Sequence, residues 1–250
     1  MNFSIDLKGK TALVTGSSRG IGRATGLLLA SLGARVIFHG TKETAQLLSA
    51  VAEAGEKAEK ITADFGNMEE VKRFIRELEE RDLVPDILVL NASVQSYTGL
   101  ENFSEEEFSK MYRTNVESSF LLIQSLVPYM RKKNYGRIIF VGSINGAKPA
   151  SRLALYGSTK AALMNVAKTA AMENAPFQIT VNTVLPGVIT TDRNAAVLSD
   201  AAFAENLKEK IPMRRFGNAE ECAFLISFLA SENASYITGA EIPIAGGLQL

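Results

Sequence analysis

Near its N-terminus the chain reads Thr15-Gly16-Ser17-Ser18-Arg19-Gly20-Ile21-Gly22, directly after an apolar run and directly before a helical pattern. Glycine permits unusual backbone dihedral angles and a close approach of the main chain, and a helix N-terminus offers unpaired N–H groups to an anion. At the first strand-to-helix junction of an α/β sheet, this combination predicts a turn that binds a pyrophosphate group. The alternative is that the glycines only allow a tight connection.

Strand-like and helical patterns alternate along the rest of the chain. Strands are predicted over residues 10–15, 35–39, 57–62, 86–90, 137–142, 179–185 and 241–244. Helices are predicted over residues 21–32, 42–54, 68–81, 104–131 and 155–174, with a further helix from Asn218. Uninterrupted apolar runs such as Ile87-Leu88-Val89-Leu90 suit parallel strands that are covered on both faces. The pattern predicts an α/β fold, a single-domain Rossmann-type doubly wound parallel sheet with helices on both faces.

Composition limits the domain organisation and the classes of function. No linker or repeat divides the chain, so we expect one domain over 1–250, with a nucleotide-binding half of about 1–92 and a catalytic and substrate half of about 93–250. The 27 basic and 27 acidic residues balance, which argues against a nucleic-acid or membrane partner. One cysteine, Cys222, and one histidine, His39, exclude an internal disulfide and a two-histidine metal site, so no metal is expected. Without a long apolar run or a signal region at residues 1–6, the protein is expected to be cytoplasmic.

A second motif is the run Tyr156-Gly157-Ser158-Thr159-Lys160, with Ser143 thirteen positions before the tyrosine. Residues four apart on a helix share one face, so the phenol and the amine can lie side by side. A protonated amine favours the phenolate and is expected to lower the tyrosine pKa from its usual value of about 10. With a serine hydroxyl to hold a substrate oxygen, such a pair suits carbonyl reduction or alcohol oxidation.

The end of the second predicted strand bears on the choice of nucleotide. An acidic residue there would bond the ribose 2′-OH of a dinucleotide. Here the chain runs from His39 into Gly40-Thr41-Lys42, and the first acidic residue is Glu43. Arg19 and Lys42 could bind a 2′-phosphate, with Thr41 as a hydrogen-bond donor. This predicts NADP(H) rather than NAD(H), and it leaves His39 as a loop residue near the adenosine.

The glycine turn and the Ser143, Tyr156, Lys160 set together resemble the short-chain dehydrogenase/reductase family, from Lys10 to Gly247. Other family motifs are matched by Asp64 after the third strand, by Asn115 in a helix and by the segment Pro186-Gly187-Val188-Ile189-Thr190-Thr191. The family's Asn-Asn-Ala-Gly appears here as Leu90-Asn91-Ala92-Ser93. Within the family, the chain most resembles the 3-oxoacyl-[acyl-carrier-protein] reductase and gluconate 5-dehydrogenase branches.

The resemblance implies an NADP(H)-dependent oxidoreductase that transfers hydride between nicotinamide and a carbonyl or secondary alcohol. It makes Tyr156 the general acid for reduction and the base for oxidation, and Ser143 the holder of the substrate oxygen. Lys160 would stabilise the phenolate and bond the nicotinamide ribose, while Asn115 would hold a water that connects Lys160 to solvent. The implied cofactor-binding residues are Gly16, Ser18, Arg19, Gly20, Ile21, Gly22, Gly40, Thr41, Lys42, Asp64, Phe65, Asn91, Ala92, Tyr156, Lys160, Pro186, Gly187, Val188 and Thr191.

The substrate stays open at this level. A keto acid, a sugar acid or polyol, and an acyl thioester all fit, and the segment 188–214 is long enough for a helical lid. A homotetramer or a dimer, formed through the long helices, is implied by the resemblance. The alternative is a non-catalytic nucleotide-binding sensor or scaffold with the same fold. The candidate polar substrate contacts, whose basic members hint at an anionic substrate, are Gln95, Asn145, Lys148, Arg152 and Arg193.

Overall fold

The computed structural model describes residues 4–195 and 199–250. Part of the N-terminal stretch 1–6 and part of the predicted lid segment 188–214 therefore lie outside the described residues. Seven strands form one sheet in the order β3-β2-β1-β4-β5-β6-β7, and every neighbouring pair is parallel. This confirms the predicted doubly wound α/β fold. The strands are β1 (Thr11–Val14), β2 (Arg35–Gly40), β3 (Glu59–Thr62), β4 (Ile87–Leu90), β5 (Gly136–Val141), β6 (Ile179–Pro186) and β7 (Glu241–Ile244).

Helices cover both faces of the sheet. Successive residues of each strand point to opposite faces, so each strand contributes side chains to two hydrophobic clusters. Leu13 and Val14 belong to two different hydrophobic clusters, and so do Ile37 and Phe38. One cluster packs the sheet against α3, α5 and α6, and the other packs it against α1, α2 and α8. The helices are α1 (Gly20–Ser31), α2 (Ala45–Ala54), α3 (Met68–Glu80), α4 (Glu105–Tyr112), α5 (Ser118–Lys133), α6 (Ala154–Asn174), α7 (Ala201–Glu209) and α8 (Ala219–Leu229).

The strand order reverses direction between β1 and β4. Strand β1 pairs with β2 on one side and with β4 on the other, so the connections leave the two strands toward opposite faces. In open parallel sheets, a crevice forms outside the carboxyl ends of the strands at this point, and ligands bind there. The turn after β1 therefore lies where the sequence places the nucleotide.

One predicted helix is divided in two. The pattern over 104–131 predicts a single helix, but α4 and α5 are separated by a π-helical turn, Arg113–Glu117. Two serine hydroxyls follow the turn and donate to main-chain carbonyls four residues earlier, from Ser118 to Thr114 and from Ser119 to Asn115. The apolar periodicity continues on both sides of the turn, which is why the pattern reads as one helix. The turn contains Asn115, whose side chain bonds Val94 in the segment after β4.

The segment after β6 contains a helix that the alternating pattern did not mark. Helix α7 begins behind Asp200, whose carboxylate accepts a hydrogen bond from the Phe203 N–H at 3.0 Å. Phe203 and Leu207 project from it into the main cleft. A helix therefore covers the cleft in the segment where the sequence predicts a lid.

Two expected absences concern the part of the chain that the structure describes. No helix of the described residues is long and apolar enough to cross a bilayer. Across residues 4–195 and 199–250, no three His, Cys, Asp or Glu side chains are grouped so as to hold a metal ion. Cys222 is fully buried in α8, and burial raises the pKa of its thiol to about 12, as in a structural cysteine.

Candidate active site

A cleft of about 800 Å³ opens at the carboxyl ends of the strands. Most of the residues implied by the resemblance line it, and they come from connections that are far apart in the sequence. On the nucleotide side these are Gly16, Ser18, Arg19, Gly20, Ile21, Gly40, Thr41, Asp64, Phe65, Asn91 and Ala92. On the other side they are Ser143, Tyr156, Lys160, Pro186, Gly187, Val188 and Thr191.

The glycine turn after β1 has the conformation and the crowding that only glycine tolerates. Gly16 has a φ of +64°, and a Cβ added there would lie 2.8 Å from the Ala92 Cα. Gly20 has a φ of +56° and begins α1, which has no side-chain cap at Arg19. The N–H groups of the first helical turn therefore have neither an intrahelical acceptor nor a capping side chain. This arrangement fits the pyrophosphate of a dinucleotide.

The third glycine of the motif supports the turn from behind. Gly22 does not line the cleft, and its expected contact with the cofactor stays a prediction. A Cβ at Gly22 would come within 2.5 Å of the Asn91 Nδ2 and would also collide with the Gly16 carbonyl oxygen. Asn91 Nδ2 donates to the carbonyls of Thr15 and Gly16, at 2.9 and 3.0 Å. Gly22 is needed so that this asparagine can connect the β4 end to the turn.

His39 is the polar centre of the nucleotide side. Its Nδ1 accepts a hydrogen bond from the Gly16 N–H at 2.9 Å, and its Nε2 lies 3.0 Å from the Ala63 carbonyl oxygen. The ring stacks on Phe65, with centroids 4.0 Å apart. Burial lowers the pKa of His39 to about 4, so the imidazole is neutral at pH 7 and carries its proton on Nε2. The prediction of a loop residue is wrong, because His39 belongs to β2 and bonds the connections after β1 and β3.

The residues after β2 differ in their access to the cleft. Arg19, Gly40 and Thr41 line it, whereas Lys42 is exposed and lies outside the lining. The expected contact of Lys42 with the nucleotide stays a prediction. Glu43, the first acidic residue after the strand, forms an ion pair with Lys60. The positive charge available on this side of the cleft is therefore that of Arg19.

Three of the four predicted catalytic side chains meet on the opposite wall, and the fourth, Asn115, lies behind it. Tyr156 and Lys160 lie on one face of α6, and Ser143 follows β5; their exposed fractions are 5%, 2% and 6%. The Ser143 hydroxyl lies close enough to the Tyr156 phenol to lower the pKa of the phenol. Ser143 Oγ also accepts from the Asn145 N–H at 3.1 Å, which orients the hydroxyl. Lys160 Nζ donates to the Val141 carbonyl oxygen at 2.8 Å and lies 5.5 Å from the centroid of the Tyr156 ring.

The electrostatics of this wall differ from the expectation based on spacing. Burial raises the pKa of Tyr156, and the charge that opposes this effect is that of Arg193 rather than Lys160. Burial also lowers the pKa of Lys160 to about 7, with a smaller contribution from the positive charge of Arg193. A desolvated amine holds its proton weakly, so it is a poor source of positive charge for a neighbouring phenol. The prediction that Lys160 lowers the pKa of Tyr156 is therefore wrong for the protein without ligands.

Asn115 lies in the π-helical turn and does not line the cleft. Its Oδ1 accepts from the Val94 N–H at 2.8 Å, and its Nδ2 donates to the Val94 carbonyl and to Thr159 Oγ1 at 2.9 and 3.1 Å. The side chain thus connects the segment after β4 to α6 beside the catalytic pair. It positions both walls of the cleft. The predicted water between Asn115 and Lys160 stays a prediction.

Four of the five candidate substrate contacts line the cleft, namely Gln95, Asn145, Lys148 and Arg193. Arg152 does not: it is exposed, and its guanidinium donates to the Tyr97 carbonyl at 2.8 Å, so its expected contact with a substrate stays a prediction. Sequence reasoning missed Tyr97, Lys110 and Lys210, which also line the cleft. No motif marks these residues, because their positions depend on how the loop after β4 and helix α7 fold over the sheet.

Comparison with known proteins agrees with this geometry. The family model described as enoyl-(acyl carrier protein) reductase matches residues 16–249. The 3-oxoacyl-[acyl-carrier-protein] reductase of Escherichia coli is 39% identical, with 100% of each chain covered.

Two solved structures have the same fold over nearly the whole chain. A 3-oxoacyl (acyl-carrier-protein) reductase from Agrobacterium tumefaciens with NADP bound is 35% identical, with a TM-score of 0.91 and 97% and 95% of the two chains covered. A gluconate 5-dehydrogenase from Burkholderia cenocepacia in complex with NADP and tartrate is 31% identical, with a TM-score of 0.90 and 97% and 96% covered. The chain belongs to the short-chain dehydrogenase/reductase family of oxidoreductases.

Proposed function

We propose that this protein is an NADP(H)-dependent oxidoreductase that transfers hydride between the nicotinamide and a carbonyl or secondary alcohol. The observation that carries the proposal is one cleft whose lining contains both the glycine turn and the buried side chains of Tyr156, Ser143 and Lys160. The named relatives include reductases and dehydrogenases, and two of the solved structures contain NADP. We further propose a cytoplasmic location.

The residues that would hold the cofactor divide along the cleft. The turn at Gly16 and the N-terminus of α1 fit the pyrophosphate, and Arg19 with Thr41 fits a ribose 2′-phosphate. Asp64 has its carboxylate fixed by the Gly66 N–H at 2.9 Å, and with Phe65 it forms the wall for the adenine. When bound, the nicotinamide supplies or accepts the hydride.

Protonation of Tyr156 favours proton donation at neutral pH. Because its pKa is raised, the phenol keeps its proton and can donate it to a carbonyl oxygen as charge develops there. Ser143, which lies beside Tyr156 in the cleft lining, would donate a hydrogen bond to the same oxygen. Lys160, with a pKa near 7, can exchange a proton at neutral pH and so reload the phenol after turnover.

The substrate class is a keto acid, a sugar acid or polyol, or an acyl thioester, since relatives named for acyl and sugar-acid substrates have similar sequences or folds. The assembly is a homotetramer or a dimer. Exposed aromatic side chains on α4 and α5, at Phe108, Phe120 and Tyr129, support an interface there. A non-catalytic nucleotide sensor is the second candidate function, and measured turnover of any substrate would exclude it.

The test is a spectrophotometric assay at the reduced-nicotinamide absorbance band, with a panel of ketones, keto acids, polyols and acyl thioesters. Tyr156→Phe should lower kcat by about a hundred- to ten-thousandfold while leaving the Kd for NADPH unchanged. Tyr236→Phe is the matched control, because this tyrosine is fully exposed and lies outside the cleft. Undiminished turnover by Tyr156→Phe would contradict the mechanism. A wild-type protein that binds NADPH and turns over no member of the panel would favour the sensor.

A further inference from the structure

An arginine stands beside the two groups that manage the proton. Arg193 follows β6 in a short 3₁₀ turn, Asp192–Asn194, and lines the cleft. It lies close enough to Tyr156 and Lys160 for its positive charge to lower the pKa of both groups. The guanidinium is therefore at the reacting end of the cleft, away from Arg19 and Thr41 at the adenosine end.

The guanidinium is oriented but not neutralised. Its Nη2 donates to the Ser93 carbonyl at 2.7 Å, which ties the segment after β6 to the segment after β4. Among the residues that the structure describes, no carboxylate forms an ion pair with Arg193. A guanidinium has five N–H donors, so the contacts with Ser93 and Tyr156 leave donors available. The side chain is solvent-exposed, and a ligand can reach it.

The charges around this end of the cleft favour an anion. Lys110, Lys148 and Lys210 line the cleft together with Arg193. Of the two carboxylates in the described lining, Asp64 belongs to the nucleotide side and its Oδ1 is bonded to Gly66. The other is Asp192, which is exposed. Basic side chains therefore outnumber acidic ones where the substrate binds.

The position of Arg193 restricts where the anionic group of a substrate can be. For proton donation, the reacting carbonyl oxygen must lie within about 3 Å of the Tyr156 hydroxyl. A guanidinium beside the same hydroxyl can then reach a group on the carbon next to the carbonyl. A carboxylate at that carbon can accept two parallel N–H bonds from an arginine, whereas an ester or a thioester offers no charge.

We propose that Arg193 binds a carboxylate attached directly to the reacting carbonyl carbon, so that the enzyme interconverts short 2-keto acids and 2-hydroxy acids. This inference rests on the proposed oxidoreductase function. In reduction, the carbonyl carbon receives hydride from the reduced nicotinamide and the oxygen receives the Tyr156 proton. The products are the 2-hydroxy acid and oxidised nicotinamide, and the carboxylate is unchanged.

The experiment compares a 2-keto acid with its methyl ester and with an uncharged 1,2-diketone of equal length. Wild-type enzyme should have a higher kcat/KM for the acid than for the ester. Arg193→Gln should lower kcat/KM for the acid by about 10- to 100-fold more than for the ester, because only the acid loses a charge-assisted pair. Arg193→Lys should restore part of the preference, since it keeps the charge without the planar fork.

A binding measurement separates recognition from catalysis. Oxalate, a dicarboxylate that cannot be reduced here, should inhibit the wild-type enzyme, and its Ki should rise about tenfold or more in Arg193→Gln. Arg76→Gln is the matched control: it removes one positive charge from an exposed position on α3, outside the cleft. It should leave both the acid preference and the oxalate Ki unchanged.

Three results would overturn the inference, and a fourth concerns the proposed function. If Arg193→Gln weakens acid and ester equally, Arg193 acts through Tyr156 and not on the carboxylate. If Arg193→Gln raises the Kd for NADPH by the same factor by which it lowers kcat/KM for the acid, the guanidinium contacts the cofactor instead. A wild-type enzyme that reduces the ester or the diketone but not the acid also refutes carboxylate recognition and leaves the oxidoreductase intact. If no compound of any class is turned over, the proposed function itself fails.

Discussion

Acidification should weaken the nucleotide side of the cleft through one buried imidazole. Neutral His39 accepts the Gly16 N–H on Nδ1, and a protonated imidazole cannot accept it. Burial holds the pKa of His39 at about 4, below the usual 6.5, so the unfolded chain binds a proton more readily than the folded protein. Stability from this group is therefore fully present above pH 6.5 and is lost as the pH falls toward 4.

The size of the effect follows from the displacement of the pKa. At about 1.4 kcal/mol per pH unit, a change from 6.5 to about 4 corresponds to roughly 3 kcal/mol of unfolding free energy. This loss is a large share of the stability of a typical domain, which is about 5–15 kcal/mol. The Kd for NADPH should begin to rise only near pH 4, where the folded protein itself protonates His39 and the Gly16 N–H of the pyrophosphate turn loses its acceptor.

The assay is urea unfolding of the wild type and of His39→Gln at several values between pH 4 and 7. The carboxylates that also titrate in this range are common to both proteins, so the difference between the two curves isolates His39. It should change by about 3 kcal/mol, with the wild type losing more on acidification. Where the variant does not fold, an NMR titration of the wild type gives the pKa of its single histidine directly. Parallel curves, or a measured pKa near 6.5, would refute the reasoning.

Three further substitutions test other parts of the site. Gly16→Ala should lower the free energy of unfolding by about 2 kcal/mol, as measured in urea, because its Cβ would collide with Ala92 at a φ of +64°. Arg19→Ala should raise the KM for NADPH about tenfold in steady-state assays and leave the KM for NADH unchanged. Lys160→Met should abolish turnover yet raise the free energy of unfolding at pH 6.5, because burying the charged amine destabilises the folded wild type. This gain should disappear as the pH rises toward 10.5, where Lys160 loses its proton in the unfolded chain as well as in the folded protein.

The parts of the fold that could be predicted are those whose signals are local. The run from β1 through the glycine turn into α1 combines an apolar strand, glycines with positive φ and an uncapped helix start within about twenty residues. The π-helical turn Arg113–Glu117 leaves no such signal, because the apolar pattern on either side continues through it. Helix α7 was expected only as a helical lid within residues 188–214, without bounds, since most of its surface is exposed and its short length provides little periodicity.

The nucleotide side shows the same limit at the level of single residues. Arg19 and Thr41 were predicted from the absence of an acidic residue after β2, and both line the cleft. Lys42 was predicted on the same ground, as a basic residue after β2, but it lies outside the cleft lining. The position of its side chain depends on the loop before α2. His39 could be located near the turn, but its role requires the Ala63 carbonyl from β3, which only the sheet order brings within reach.

Helical spacing correctly groups Tyr156 and Lys160, but it does not predict their protonation. A pKa depends on everything that packs over a group, and the cover of this face comes from elsewhere in the chain. Lys160 is enclosed near the Val141 carbonyl at the end of β5, and the exposed cation that acts on Tyr156 is Arg193, which follows β6. Burial therefore leaves both the phenol and the amine with less charge than isolated side chains would suggest. A site arranged in this way stores its proton on the phenol at neutral pH, and proton donation to a carbonyl is the step it favours.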